Sequence, residues 1–129
     1  MDEKKISITP EGELRIKVGR NFGLDEAVRC MRECQPHAGK HNRRVVFDLL
    51  GTQSLQTAGL GFMMMVKERC DIPKEDAVIL YDHPQIGQML FLAHFEEKFH
   101  LVRQAKGDPE KMREGEQRTG GAALPSRGK

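Results

Sequence analysis

Apolar and polar positions change rhythm along the chain, and each rhythm predicts an element. Ile6-Ser7-Ile8 alternates, Pro10-Glu11-Gly12 interrupts, and Leu14-Arg15-Ile16-Lys17-Val18 alternates again. Period-two alternation on both sides of a Pro/Gly turn predicts a hairpin with one face on a core and one in water. Gly19 to Gly23 reads as a loop, with Phe22 tucked under the helix that follows. From Leu24 to about His37 the spacing becomes helical. Leu24, Ala27, Val28, Met31 and Cys34 form one apolar stripe, with Arg29, Arg32 and Glu33 on the other side. Asp25 and Glu26 suit the positive end of this helix, and Pro36 and Gly39 end it.

Val45 to Leu50 is a short apolar run, β-branched and aromatic, broken once by Asp48, and it predicts a buried central strand. Gly59 to Val66 is as apolar but rich in Met and Leu, and it continues into Lys67-Glu68-Arg69, so it predicts a helix ending near Cys70. A loop follows, then a second buried run, Ala77 to Tyr81. Asp82 or His83 caps a helix opened by Pro84, a favoured first residue. Ile86, Met89, Leu90 and Ala93 form its buried stripe, extended on one side by Phe91 and Phe95, and Phe99 to Val102 reads as a last strand. The order is β-β-α-β-α-β-α-β. It predicts the α/β class: a mixed β-sheet with helices packed on it, parallel strands joined by right-handed crossovers, and an antiparallel pair from the hairpin.

Composition sharpens this picture. A chain of 129 residues, 38% hydrophobic and 31% charged, fits one domain with a core that needs neither disulfide nor metal. The folded unit is expected over residues 1–102. Residues 103–129 are rich in Gly and Pro, with seven Lys/Arg against four Asp/Glu, and read as a flexible basic tail. The tail thus holds an excess of +3 within a net charge of +2, so the remainder is near neutral and gives no footing for a nucleic-acid partner. Three cysteines, Cys30, Cys34 and Cys70, cannot all pair, and no apolar leader opens the chain, so a cytoplasmic location is expected. No apolar run approaches the roughly 20 residues that span a bilayer, so no direct membrane insertion is expected.

The candidate chemistry lies between the central strand and the next helix. Thr57 is either a modified hydroxyl at a helix start, where free N–H groups favour an anion, or the N-cap of that helix. Ser54 is a second hydroxyl in the same loop. Asp48 either orients the loop or accepts its N–H groups. Gly59 and Gly61 allow close approach, by a partner or by the sheet. Met63-Met64-Met65 cannot all face one way on a helix, so at least one is expected to be partly exposed. Cys30, Cys34 and His37 share a nominal helix face but have no fourth ligand, so no metal site is assigned. His83, His94 and His100 show no base–nucleophile spacing, and the phosphate-loop, dinucleotide and nucleophile-elbow motifs are absent. A binding protein without cofactor is expected, and an enzyme is not.

Val45-Val46-Phe47-Asp48-Leu49-Leu50 followed by Gln56-Thr57-Ala58-Gly59-Leu60-Gly61, within the element order above, resembles the STAS domain of anti-sigma factor antagonists. The likeness covers roughly Lys5 to Val102. It implies a protein that binds a serine/threonine-kinase anti-sigma factor, or a related switch protein, and loses the complex on phosphorylation. Thr57 matches the usual phosphoacceptor position. Gln56 stands where the family has Asp, and Ala58 where it has a second Ser. The implied partner surface comprises Gly51, Thr52, Gln53, Gln56, Thr57, Gly59, Leu60 and Met63, with neighbouring Phe22. Two other roles are compatible with the likeness: a subunit of an ABC-type lipid-transport complex, and a phosphorylation-independent scaffold, including a homodimer.

Overall fold

The computed structural model describes residues 5–104. Strand β1 (Ile6–Ile8) turns back antiparallel onto β2 (Glu13–Lys17), pairing Ile6 with Ile16 and Ile8 with Leu14. The two-residue β3 (Asn21–Phe22) leads into helix α1 (Leu24–Cys34). Then follow β4 (Arg44–Leu49), the two-residue β5 (Ser54–Leu55), α2 (Thr57–Cys70), β6 (Ala77–Tyr81), α3 (Pro84–Leu92) and β7 (His100–Arg103). Five strands form one sheet in the order β1-β2-β4-β6-β7, parallel from β2 onward. The α/β class and the mixed sheet are therefore as the alternation predicts. Most of the C-terminal segment expected to be flexible lies outside the described residues, and its first residue, Arg103, ends β7.

Strand alternation decides what each face does. Leu14, Ile16 and Val18 join Val45, Phe47 and Leu49, and Ala77, Ile79 and Tyr81, in one core with the buried residues of all three helices. Phe47 lies at its centre, edge-on to Phe62 of α2 and to Phe99, with ring centroids 6.2 and 6.1 Å apart. The residues between them point the other way, and they are mixed: Val46 and Val78 are buried and apolar, whereas Arg15, Lys17 and Asp48 carry charge. Arg15 and Lys17 each lie 3.5 Å from an oxygen of Asp48, and Arg44 lies 3.4 Å from Glu13. A one-residue slip would exchange these two sets, so register is strongly specified.

The helices depart from the expectation in orientation and ends. Helix α1 stops at Cys34 rather than near His37. It buries Ala27, Cys30 and Cys34 and leaves Leu24, Val28 and Met31 exposed, so its inward face is the small-residue side of the predicted stripe. Small residues let α1 sit close to the sheet, and the larger ones then fall outside the contact. On α3, His83 is the cap, accepting from the N–H of Gln85, and Pro84 is the first residue. Phe91 is half exposed instead of extending the buried stripe, while Phe95 is buried and stacks on Phe99 at 4.8 Å. Helix α3 ends at Leu92 and His94 takes a left-handed φ of 61°, which breaks the helical spacing between those phenylalanines.

Candidate functional site

The junction before α2 is held by a second loop that the alternation pattern does not reveal. β3 and β5 pair in parallel, Asn21 beside Ser54 and Phe22 beside Leu55. The N–H of Gln53 donates to the carbonyl of Arg20 at 2.7 Å, and the N–H of Gln56 donates to that of Phe22 at 3.0 Å. The Thr52 hydroxyl donates to the carbonyl of Gly19 at 2.8 Å, and the Ser54 hydroxyl lies 2.9 Å from Asn21 Oδ1. Glu26 anchors this second loop to α1. Its Oε2 accepts the N–H of Gly19 at 2.7 Å, and Arg29 holds the same carboxylate with two further bonds. Those bonds to Arg29, and the N–H of Gly19, hold the Glu26 carboxyl below its ordinary value despite opposing burial.

The first loop is fixed from the sheet side. Gly51, with φ of 88°, is the third residue of a turn closed by the N–H of Thr52 on the carbonyl of Leu49, a position where positive φ favours glycine. Asp82 Oδ1 accepts the N–H of Gly51 at 3.0 Å. Asp48 Oδ1 accepts the N–H of Leu50 at 3.1 Å, and Lys17 Nζ donates to the Leu50 carbonyl at 3.0 Å. Asp48 is thus a loop acceptor and an ion-pair partner on the charged face of the sheet.

Several residues assigned to the partner surface are interior instead. Phe22, Thr52 and Met63 have no exposed surface, and Gly59 is buried. Phe22 packs edge-on to Phe62 at 6.1 Å. A Cβ on Gly59 would stand 2.9 Å from the Phe22 carbonyl oxygen and from Leu55, so this glycine serves helix–loop packing. These four shape the surface from below and cannot touch a partner. Gln53, Gln56 and Thr57 are exposed, and Gly51, Ser54 and Leu60 are partly so. Of the three methionines, Met63 is buried, Met64 intermediate and Met65 exposed.

Thr57 is not the N-cap. Pairing of β5 keeps the chain extended through Gln56, which becomes the cap at φ −111° and ψ 172°, and Thr57 is the first helical residue. The Gln56 side chain makes no capping bond and lies against Gly23, where an added Cβ would meet its Oε1 at 2.7 Å. The Thr57 hydroxyl is exposed and has no hydrogen-bond partner among the described residues. The first turn of α2 contains no carboxylate, and its last turn carries Lys67 and Arg69. The partial positive charge at its start is therefore not offset by an acidic side chain in that turn, unlike that of α1, which has Asp25 and Glu26. Gly61, four residues on and so on the same helix face as Thr57, would accept a Cβ with nothing within 4 Å. The site is an exposed residue on a low, open helix face next to two loops hydrogen-bonded to each other.

Other chemistry is quiet. The thiols of Cys30 and Cys34 are pushed up by burial to about 12 and about 11, and that of Cys70 is raised for the same reason, so none is an activated nucleophile. His94, Glu96 and Glu97 place one ligand atom each within 4.8 Å of the others on the turn after α3, where His94 and Glu97 form a surface pair at 3.6 Å. No described helix is long and apolar enough to cross a membrane. Comparison with protein-family models, with curated proteins and with solved structures finds no match.

Proposed function

We propose that this protein is a non-catalytic regulatory binding domain of the STAS type, acting in the cytoplasm. Its partner is a kinase-type anti-sigma factor or a related switch protein, and Thr57 is the phosphoacceptor. One observation carries the reading: an unbonded, exposed hydroxyl at the first residue of a helix whose opening turn has no acidic side chain. The order of the major elements, with α2 following the central strand β4 through the short β5 loop, supports the family assignment. Ser54 is the weaker candidate because its hydroxyl already pairs with Asn21.

A phosphate on Thr57 adds about −1.5 to −2 charges at pH 7 beside the free N–H groups of α2. It needs no unfolding of the domain. It changes an interface instead, by adding a strongly hydrated group and repelling an acidic partner. Incubation with candidate serine/threonine kinases and ATP, followed by mass spectrometry, is expected to place one phosphate on Thr57 and none on the Thr57→Val variant. Thr57→Glu is expected to weaken binding to the partner recovered by affinity capture about tenfold, equivalent to about 1.4 kcal/mol. Absence of phosphate at both Thr57 and Ser54 sinks the switch.

Gln56 favours a second reading, a scaffold that binds without phosphorylation. It replaces the family's acidic residue and is committed to packing against Gly23. Equal binding by wild type, Thr57→Val and Thr57→Glu would select this reading.

A further inference from the structure

Among the described residues, seven large hydrophobic side chains are exposed, and four of them are Leu24, Val28, Met31 and Met65. The first three lie at i, i+4 and i+7 and so form one stripe along α1. Val28, Met31 and Met65 line a cavity of about 270 Å³ between α1 and α2, floored by Cys34, Ala38 and Val66. Helix α1 thus buries three small residues against its own domain and turns Val28 and Met31 toward a groove.

Arg32 and Arg69 also line this groove. Arg32 has no ion pair among the described residues. Arg69 donates Nε to the Ala38 carbonyl at 3.3 Å and meets no carboxylate there. Neighbouring Arg29 differs, since Glu26 and Glu33 neutralise it at 2.6 and 2.7 Å. The groove is therefore apolar along its length and cationic at its margin, with its charge unmatched.

That charge selects the occupant. A symmetric contact with a second copy would bring Arg32 and Arg69 toward the same residues of the other chain. The segment 103–129 of this chain carries seven basic residues against four acidic ones, so it offers the same sign. We propose that the α1–α2 groove docks an acidic amphipathic helix of a partner protein. Apolar residues of that helix at i, i+4 and i+7 lie on Val28, Met31 and Met65, and its carboxylates reach Arg32 and Arg69. Helix-in-groove recognition uses this spacing, and methionine adapts to the incoming side chains. Thr57 does not line this groove, though Met65 lies two turns along α2 from it, and the Thr57→Val variant below distinguishes the proposal from the phospho-switch.

The test uses the full chain with ¹³C-methyl methionine. It is titrated with a panel of synthetic helical peptides bearing Leu at i, i+4 and i+7 and Glu on the flanks. The same peptides with Lys for Glu are the controls. Saturable shifts of the Met31 and Met65 methyls are expected with the Glu peptides, and at least about tenfold weaker binding with the Lys peptides. Arg32→Glu is expected to remove that preference, Val28→Glu to weaken binding about tenfold with an unchanged far-ultraviolet spectrum, and Thr57→Val to leave it intact. Failure of every Glu peptide to shift both methyls, or equal binding of Glu and Lys peptides, overturns the proposal. So does self-association that Val28→Glu abolishes, which assigns the groove to a second copy. Saturation by decanoate that no peptide displaces assigns it to a small amphiphile and overturns the proposal too.

Discussion

Glu26 shows how much one carboxylate can organise. Read along the chain, it is an acidic residue in the first turn of a helix, worth about 0.3–1 kcal/mol against the dipole. In the fold it also receives Gly19 and Arg29, and so clamps the loop that carries β3 under α2. Its carboxyl is held below the ordinary value of 4.5, chiefly by the bond from Arg29. The folded state then binds its proton less readily than the unfolded chain. Its contribution is complete above the unfolded value and is lost as pH falls through the lower folded one. Glu26→Gln is expected to cost about 1 kcal/mol at pH 7, a modest figure because the pair is partly screened by solvent. Urea titrations across pH should show the gap closing below pH 4.5. Parallel stability curves for the two proteins would refute the clamp.

At the scale of the element, α2 separates two glycines that look alike in sequence. Gly59 faces Phe22 and Leu55, with a backbone oxygen 2.9 Å from the place of a Cβ, whereas Gly61 faces open space. Gly59→Ala must displace the β3 loop and is expected to destabilise the fold by about 1–3 kcal/mol, as overpacking does. Gly61→Ala adds no contact and removes freedom from the unfolded chain and the helix, so it is expected to stabilise by about 0.5–1 kcal/mol. Denaturant midpoints moving in opposite directions would bear this out, and a loss at Gly61 equal to that at Gly59 would contradict it. The same variants bear on function: only Gly61 lies on the exposed face with Thr57. Helix α1 makes the complementary point. A periodic stripe identifies a helix and its broad apolar side, yet the side turned inward here is the one bearing Ala27, Cys30 and Cys34.

For the whole molecule, the sheet order places β2, β4 and β6 inside, each bonded on both edges, with β4 and β6 flanked by parallel neighbours on both sides, and leaves β1 and β7 at the margins. Val45, Phe47, Ala77 and Ile79 are completely buried on these inner strands. Amide exchange should therefore be slowest over Arg44–Leu49 and Ala77–Tyr81 and much faster over the three-residue β1. Uniform protection across all five strands would show that the molecule opens only as one unit. The stable centre ends at the C-terminal ends of β4 and β6, where Asp48 and Asp82 hold the turn before Thr57. The candidate site thus follows directly on the strands expected to be best protected.

Local pattern by itself determined the major strands, the three helices and the mixed α/β class, because burial of one face imposes a period of two or of about 3.6 on the chain. It also drew attention to Thr57, since a hydroxyl between an apolar strand and a helix start is visible in any linear reading. Only the tertiary structure decided which candidates reach the surface. Phe22, Thr52 and Met63 are adjacent in pattern to exposed residues but are covered by elements distant in sequence. The β3–β5 pairing is too short, at two residues each, to leave an alternation, and the extended residue that follows it, Gln56, is the cap in place of Thr57. The groove on α1 and α2 was hidden for the same reason. Exposure is settled by how a helix is rotated against its neighbours, and that rotation depends on packing across the whole core.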